Sequence, residues 1–154
     1  QLPQELPAVS PVAADLHIED FHQDVARILV ALYNRFPQPG SLFVVDLIGE
    51  HEPDAFGVPA PRHMACFSTM LWLAQEGFLR YTDTIRQEAI DQCCLTERAF
   101  TLLSAPDPQR LQADLPASVA RQRATLAQRL RDALRSGSGN EIFDAVQQCF
   151  RRQS

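Results

Sequence analysis

Three residues near the middle of the sequence have side chains that could bind a metal. His51, Asp54 and His63 lie within one short stretch and carry nitrogen and oxygen donors of the kind that zinc accepts. Their spacing matches no common zinc site, so we interpret them as polar loop residues and expect no metal. No nucleophile elbow, phosphate-binding glycine loop or zinc-protease motif occurs in the sequence. We therefore expect a protein that is not an enzyme and that needs no cofactor.

The cysteines could support redox chemistry only if one thiol were accessible and activated. They lack Cys-x-x-Cys spacing, and a chain of 154 residues does not need disulfides, so we expect reduced and mostly buried thiols. Cys93 and Cys94 are adjacent, which in a strand directs them to opposite faces of the sheet. We expect one in the core and one partly outward, with a thiol sensor as the less favoured alternative.

Length and composition predict one compact domain with a continuous core, because 45% of the 154 residues are hydrophobic. No stretch approaches the length of an apolar membrane span, and the first residues show neither a basic leader nor an apolar signal core. We therefore expect a soluble, cytoplasmic protein without membrane contact.

The charge is unevenly distributed along the chain. Residues 1–58 hold nine acidic residues against two arginines, whereas residues 107–154 hold five acidic residues against eight arginines. Lysine is absent from the sequence, and the net charge is -5. Since a nucleic-acid binder usually concentrates basic residues on one face, only the last third of the chain could supply such a face.

Hydrophobic periodicity divides the chain into three parts. Residues 1–18 are rich in proline and lack periodicity, which predicts an extended arm. Residues 19–106 alternate helical and extended patterns, which predicts one domain. Residues 107–154 carry two helical patterns, one from Ser118 to Arg135 and one in EIFDAVQQCF, and are predicted to form a C-terminal helical extension used for dimerisation or packing.

The order of elements in the central part is predicted from periodicity and from breaker residues. A helix from Asp20 to Phe36 is followed by a short strand and a short helix in SLFVVDLIGEH. A further helix runs from His63 to Glu76 and is ended by Gly77. FLRYTDTI and AIDQCCL then form a hairpin, and Thr96 caps the helix ERAFTLLS. The predicted fold class is mainly α with a small β hairpin.

This order, together with two short motifs, resembles the winged helix-turn-helix superfamily. LAQEGFLRY is similar to the end of the recognition helix and the entry to the wing in the MarR and PadR families, and LTERAFTLL is similar to the stretch that leaves their wing. The resemblance covers the chain from about Asp20 to Ser104. It implies a winged-helix domain with additional C-terminal helices, and a homodimer formed through helices that flank the domain.

The helix at the recognition position has an unusual composition for a DNA reader. Cys66, Met70 and Leu73 fall on one side at helical spacing, yet the remaining sides are also apolar. Such a helix is generally buried on more than one side, so we predict that it packs under other helices or a partner. The predicted protein contacts are Phe67, Leu71 and Trp72 on this helix and Leu126, Leu130 and Leu134 on the C-terminal helix.

Two functions therefore remain open from the sequence. The favoured one is a non-catalytic, regulatory winged-helix protein that acts through protein contacts as a homodimer or with another partner. The alternative is a DNA-binding transcriptional regulator of the MarR or PadR type, in which side chains on the helix and wing contact duplex DNA. Those side chains would be Arg62, His63, Ser68, Thr69 and Arg86.

Overall fold

The computed structural model of the chain describes residues 15–107 and 125–153. These ranges contain a helical assembly and one small antiparallel sheet, which confirms the prediction of a mainly α fold with a small β part. The elements are, in chain order, α1 (Leu16–Asn34), β1 (Gly40–Phe43), α2 (Val44–Ile48), α3 (Pro61–Gln75), β2 (Leu79–Arg80), β3 (Asp83–Ile85), β4 (Ala89–Leu95), α4 (Glu97–Ser104), α5 (Leu126–Ser136) and α6 (Gly139–Gln153).

Helix α1 is central, because α3, α5 and α6 all pack against it. Its apolar side chains recur at helical spacing and bury Val25, Ile28 and Leu32 almost completely. The helix begins at Leu16, four residues before the predicted start, so the last residues assigned to the arm are helical. Residues 1–14 lie outside the described ranges.

The sheet is organised around β4, which is its longest strand. Strand β1 pairs antiparallel with β4 on one edge, with Leu42 opposite Ile90. Strands β2 and β3 pair with the two halves of β4 on the other edge, with Leu79 opposite Leu95 and Thr84 opposite Ile90. The predicted hairpin is therefore present, and its first strand is interrupted between β2 and β3. Helix α4 follows β4 directly.

Helix α3 begins at Pro61, two residues before the predicted start, and ends at Gln75, one residue before the predicted end. Pro61 occupies the first turn, where its missing N–H removes no hydrogen bond, and Gly77 adopts a φ of 85° just after the helix. Cys66, Met70 and Leu73 are fully buried, which confirms the predicted inward side. α3 therefore spans the core and presents one flank outward.

The C-terminal helices belong to the same core as the rest of the chain. Leu126 and Leu130 of α5 and Val146 of α6 are fully buried in the cluster that also contains α1 and α3. α5 begins at Leu126, and the hydroxyl of Thr125 accepts a hydrogen bond from the N–H of Gln128 in its first turn. The predicted helix therefore does not run unbroken from Ser118 to Arg135, and Ser118 itself lies outside the described ranges. Residues 108–124, with Arg121 and Arg123, lie outside the described ranges. None of the described helices is long and apolar enough to cross a membrane.

Candidate protein-contact surface

The outward side of α3 is a stripe without charge. Ala65, Ser68, Trp72 and Gln75 recur at helical spacing and are the exposed positions between the first and last turns of the helix. We call these four residues the outer stripe of α3. Trp72 is the large apolar member, with 38% of its surface exposed. The stripe therefore offers an aromatic side chain and small polar groups, and it offers no cation.

Trp72 is only partly covered by the chain itself. Its ring packs edge-on against Phe21 of α1, with ring centroids 5.2 Å apart, and against Phe150 of α6 at 5.8 Å. These contacts hold the indole in one orientation while leaving its outer part accessible. An aromatic side chain that is anchored on one side and exposed on the other is the usual centre of a protein contact.

A groove runs beside the outer stripe, on the side of the sheet. It has a volume of about 540 Å³ and is lined by Leu71, Ala74, Gln75, Leu79, Arg80 and Tyr81. Leu71 is half-buried, so the prediction that it points partly away from the core is confirmed. The groove and Trp72 together form an apolar surface with Arg80 as its charged edge.

Phe67 does not belong to this surface. It is 5% exposed and lies in the core beside Cys66 and Met70. Leu126 and Leu130 are likewise fully buried within the chain, whereas Leu134 is half-buried. Of the six residues predicted to make protein contacts, the structure leaves Leu71, Trp72 and Leu134 with accessible surface, because the chain's own helices cover the other three.

The first predicted DNA contact, Arg62, is partly buried and paired with acids of α1. Its guanidinium donates two hydrogen bonds to the carboxylate of Asp24, at 2.7 Å and 2.6 Å, and it lies 3.6 Å from Asp20. Asp24 is fully buried on α1. The hydrogen bonds that Arg62 donates to Asp24 raise the pKa of Arg62 above its ordinary value, with burial acting in the opposite direction. The pair ties the start of α3 to the middle of α1.

The other predicted DNA contacts are dispersed. His63 is buried and its Nε2 lies 2.8 Å from the carbonyl of Gln87, while Thr69 is buried and donates to the carbonyl of Ala65. Ser68 is exposed on the outer stripe. Arg86 is exposed in the turn between β3 and β4, 4.0 Å from Glu88. Only Ser68 and Arg86 could therefore reach a ligand without rearrangement.

The arginines of α5 are engaged by neighbouring groups. Arg129 lies 3.2 Å from the buried Asp107, and Arg135 lies 3.0 Å from Asp132. Arg131 donates to the side chain of Asn34 and lies over the ring of Tyr33, 5.3 Å from its centroid. Two of the three described guanidinium groups are therefore paired with acids of the same chain, whereas Arg131 contacts a neutral amide and a ring.

The candidate metal ligands do not converge on one point. His51 Nδ1 lies 3.3 Å from the carbonyl of Gly49. The Asp54 carboxylate accepts hydrogen bonds from backbone N–H groups of its own loop. Among the residues that the structure describes, no group of three histidine, cysteine or carboxylate side chains is placed to hold a metal ion.

The cysteines are all buried thiols. Cys93 is hydrogen-bonded to Arg35 at 3.1 Å and to the carbonyl of Gly40, and burial raises its pKa. The prediction that one of the adjacent pair points partly outward is wrong, because Cys94 is 4% exposed and lies against the carbonyl of Pro37. The segment between α1 and β1 covers the face of β4 on which a partly exposed cysteine was predicted.

Cys66 gives the protein a stability that depends on pH. Burial raises the pKa of its thiol to about 12, from an ordinary value of 9.0. Because the folded protein keeps this proton when the unfolded chain has lost it, the free energy of unfolding should fall as pH rises from about 9 to 12, by roughly 1.4 kcal/mol per pH unit. Urea unfolding across this range should show a steeper decline for the wild type than for Cys66→Ala. If the free energy of unfolding fell equally with pH for the wild type and for Cys66→Ala, the thiol would not contribute to the pH dependence.

Two features of the structure could not be predicted from the sequence. The Asp24–Arg62 pair joins residues 38 positions apart. Its one sign in the sequence is an acidic residue, Asp24, among the buried positions of α1. The exposed Phe56, 91% accessible, lies in a loop whose composition predicted no more than a connection.

Comparison of the chain with protein-family models, with curated proteins and with solved structures finds no match. The functional argument therefore depends on the chain's own geometry.

Proposed function

We propose that this chain is a non-catalytic winged-helix protein that acts through protein–protein contacts, and that its native form is a regulatory homodimer. The order helix, strand, helix, helix, hairpin and helix supports the winged-helix assignment, as does the pairing of β1 with the second strand of the hairpin. In this interpretation α3 occupies the recognition position and the turn around Arg86 is the tip of the wing.

One observation carries the proposal: the outer stripe of α3 has no positive charge, and its largest side chain is Trp72. A DNA-reading helix presents Arg, Lys, Asn, Gln, Ser or Thr to phosphates and base edges, and phosphate neutralisation by Arg and Lys supplies most of the affinity. The outer stripe offers only Ser68 and Gln75 of these types. Arg62, at the start of the helix, donates two hydrogen bonds to Asp24. The accessible indole, with the groove beside Leu71, has instead the composition of a protein interface core.

The oligomeric state tests this proposal. We expect sedimentation velocity with interference optics to show a dimer that dissociates on dilution. Trp72→Ser should weaken the dimer by about 30-fold or more, because a central aromatic contributes most of the binding energy. Ser68→Glu should weaken it as well, since two copies of the charge would meet across a symmetric interface, and this change removes no packing.

Phe56→Ser is the matched control, because it removes an exposed aromatic ring away from α3. It should dimerise as the wild type does. A wild type that remains monomeric at every concentration, or a Ser68→Glu variant with unchanged self-association, would contradict the proposed dimer.

A DNA-binding regulator is the second candidate, and the accessibility of Arg86 favours it. This side chain is 84% exposed at the wing tip, where a winged-helix regulator contacts phosphate. Anisotropy titration with random duplex DNA at low salt separates the two functions. We expect negligible binding, because Glu88 lies 4.0 Å from Arg86 and the same hairpin carries Asp83 and Asp91. Binding that weakens steeply with salt and is lost in Arg86→Ala would favour the regulator.

A further inference from the structure

A second apolar surface lies between the loop before α3 and the wing tip. The loop is held in a defined turn, because the carboxylate of Asp54 accepts hydrogen bonds from the N–H of Phe56 at 2.8 Å and of Val58 at 2.9 Å. The N–H of Asp54 donates in turn to the carbonyl of Val58, and Gly57 adopts a φ of 80° at the tip. This turn holds Phe56 at 91% exposure and Val58 at 55%.

The loop and the wing enclose a cleft of about 600 Å³. Its apolar walls are Phe43, Val45, Pro53 and Pro59, and its polar walls are Glu50, His51, His63 and residues 86–88. Val45 is 38% exposed, so its side chain is available at the cleft. The cleft shares no residue with the groove beside Leu71, which makes it a separate surface.

The charges around this cleft are predominantly negative. Glu50 and Glu88 line it, and Asp46 and Glu52 are exposed on either side of Glu50 in the chain. Among the residues that the structure describes, Arg86 makes the one ion pair with these acids, at 4.0 Å from Glu88, and Asp46, Glu50 and Glu52 make none. A phosphate backbone or an acidic peptide would be repelled here, whereas a cationic segment would be attracted.

We infer that this cleft binds a cationic peptide segment of a partner protein. One aliphatic or aromatic side chain of the segment fills the cleft beside Val45 and Pro53. The segment also contacts the exposed Phe56, which precedes the lining residue Gly57 in the chain, and its flanking Arg or Lys side chains pair with Glu50 and Glu88. Charge complementarity selects this occupant, since the walls are apolar and the rim is acidic. The inference rests on the proposed function because it gives the chain a partner as well as a second copy of itself.

Selection from a displayed library of random peptides tests the inference. Peptides retained by the wild type, after depletion on Phe56→Ser, should carry Arg or Lys around an aliphatic or aromatic residue. A synthetic peptide of the consensus sequence should bind the wild type in fluorescence anisotropy. Its affinity should fall about tenfold or more for Phe56→Ser and for the double variant Glu50→Gln/Glu88→Gln.

Trp72→Ser is the control, and it should bind the peptide with unchanged affinity because the outer stripe of α3 lies outside the cleft. A failed dimer would therefore leave this result intact, and a failed peptide selection would leave the dimer intact. The inference is overturned by an empty selection, by a consensus without basic residues, by equal binding to Phe56→Ser, or by displacement of the peptide with duplex DNA.

Discussion

Replacing Asp24 with asparagine should lower the free energy of unfolding by about 3 kcal/mol, because it removes the partner of an inward-facing arginine. The carboxylate is fully buried and accepts two hydrogen bonds from Arg62, and Arg27 lies 3.5 Å away. Asparagine keeps the shape of the side chain but leaves Arg62 with only the more distant, partly accessible Asp20 as a counter-charge, and it turns an amide N–H₂ towards the guanidinium. Urea unfolding at neutral pH measures the loss.

Asp20→Asn is the matched control for this change. Asp20 also faces Arg62, at 3.6 Å, but 29% of its side chain is accessible and water screens the pair. The expected loss is below about 0.5 kcal/mol. Equal losses for the two variants would contradict a buried ion pair. If the side chain of Arg62 were unpaired and exposed to solvent, as a DNA contact would be, neither variant would change the free energy of unfolding appreciably.

Leu130→Ala should destabilise the protein by about 3 kcal/mol, because it leaves a cavity in the core that α5 shares with α1 and α6. The side chain is fully buried within one chain. The loss should therefore be independent of protein concentration. If α5 packed only against a second subunit, the same substitution would instead weaken dimerisation, and the apparent stability would depend on concentration.

Leu134→Ala provides the comparison on the same helix. Leu134 is half-buried, so its truncation removes less apolar contact and opens less of a cavity. The expected loss is a fraction of that for Leu130→Ala. Equal effects at both positions, measured by urea unfolding at two protein concentrations, would contradict the burial that distinguishes them.

The course of α3 could be predicted from sequence because its determinants are local. Pro61 and Gly77 fix the ends through their backbone preferences, and the spacing of Cys66, Met70 and Leu73 fixes the inward side. The same kind of information predicted the hairpin. These features follow from residues a few positions apart, which a single sequence displays.

The residues that pack against each face of a helix could not be predicted in this way, since they come from distant parts of the chain. Periodicity placed leucines on one side of α5 but could not show that α1 covers Leu126 and Leu130 in the same chain. The sequence predicted that Arg62 is accessible, because Asp24, its partner in the folded chain, is 38 positions away. The cleft between the loop before α3 and the β3–β4 turn likewise depends on two segments that are distant in the sequence.

The central claim is that protein covers the outer stripe of α3 in the native assembly, and the fluorescence of Trp72 reports on it directly. Trp72 is the single tryptophan of the chain, so the signal has one source. As the protein concentration is raised, its emission should shift to shorter wavelength and quenching by acrylamide should decrease. Emission and quenching that stay constant over the whole concentration range would show a bare indole and would contradict the claim.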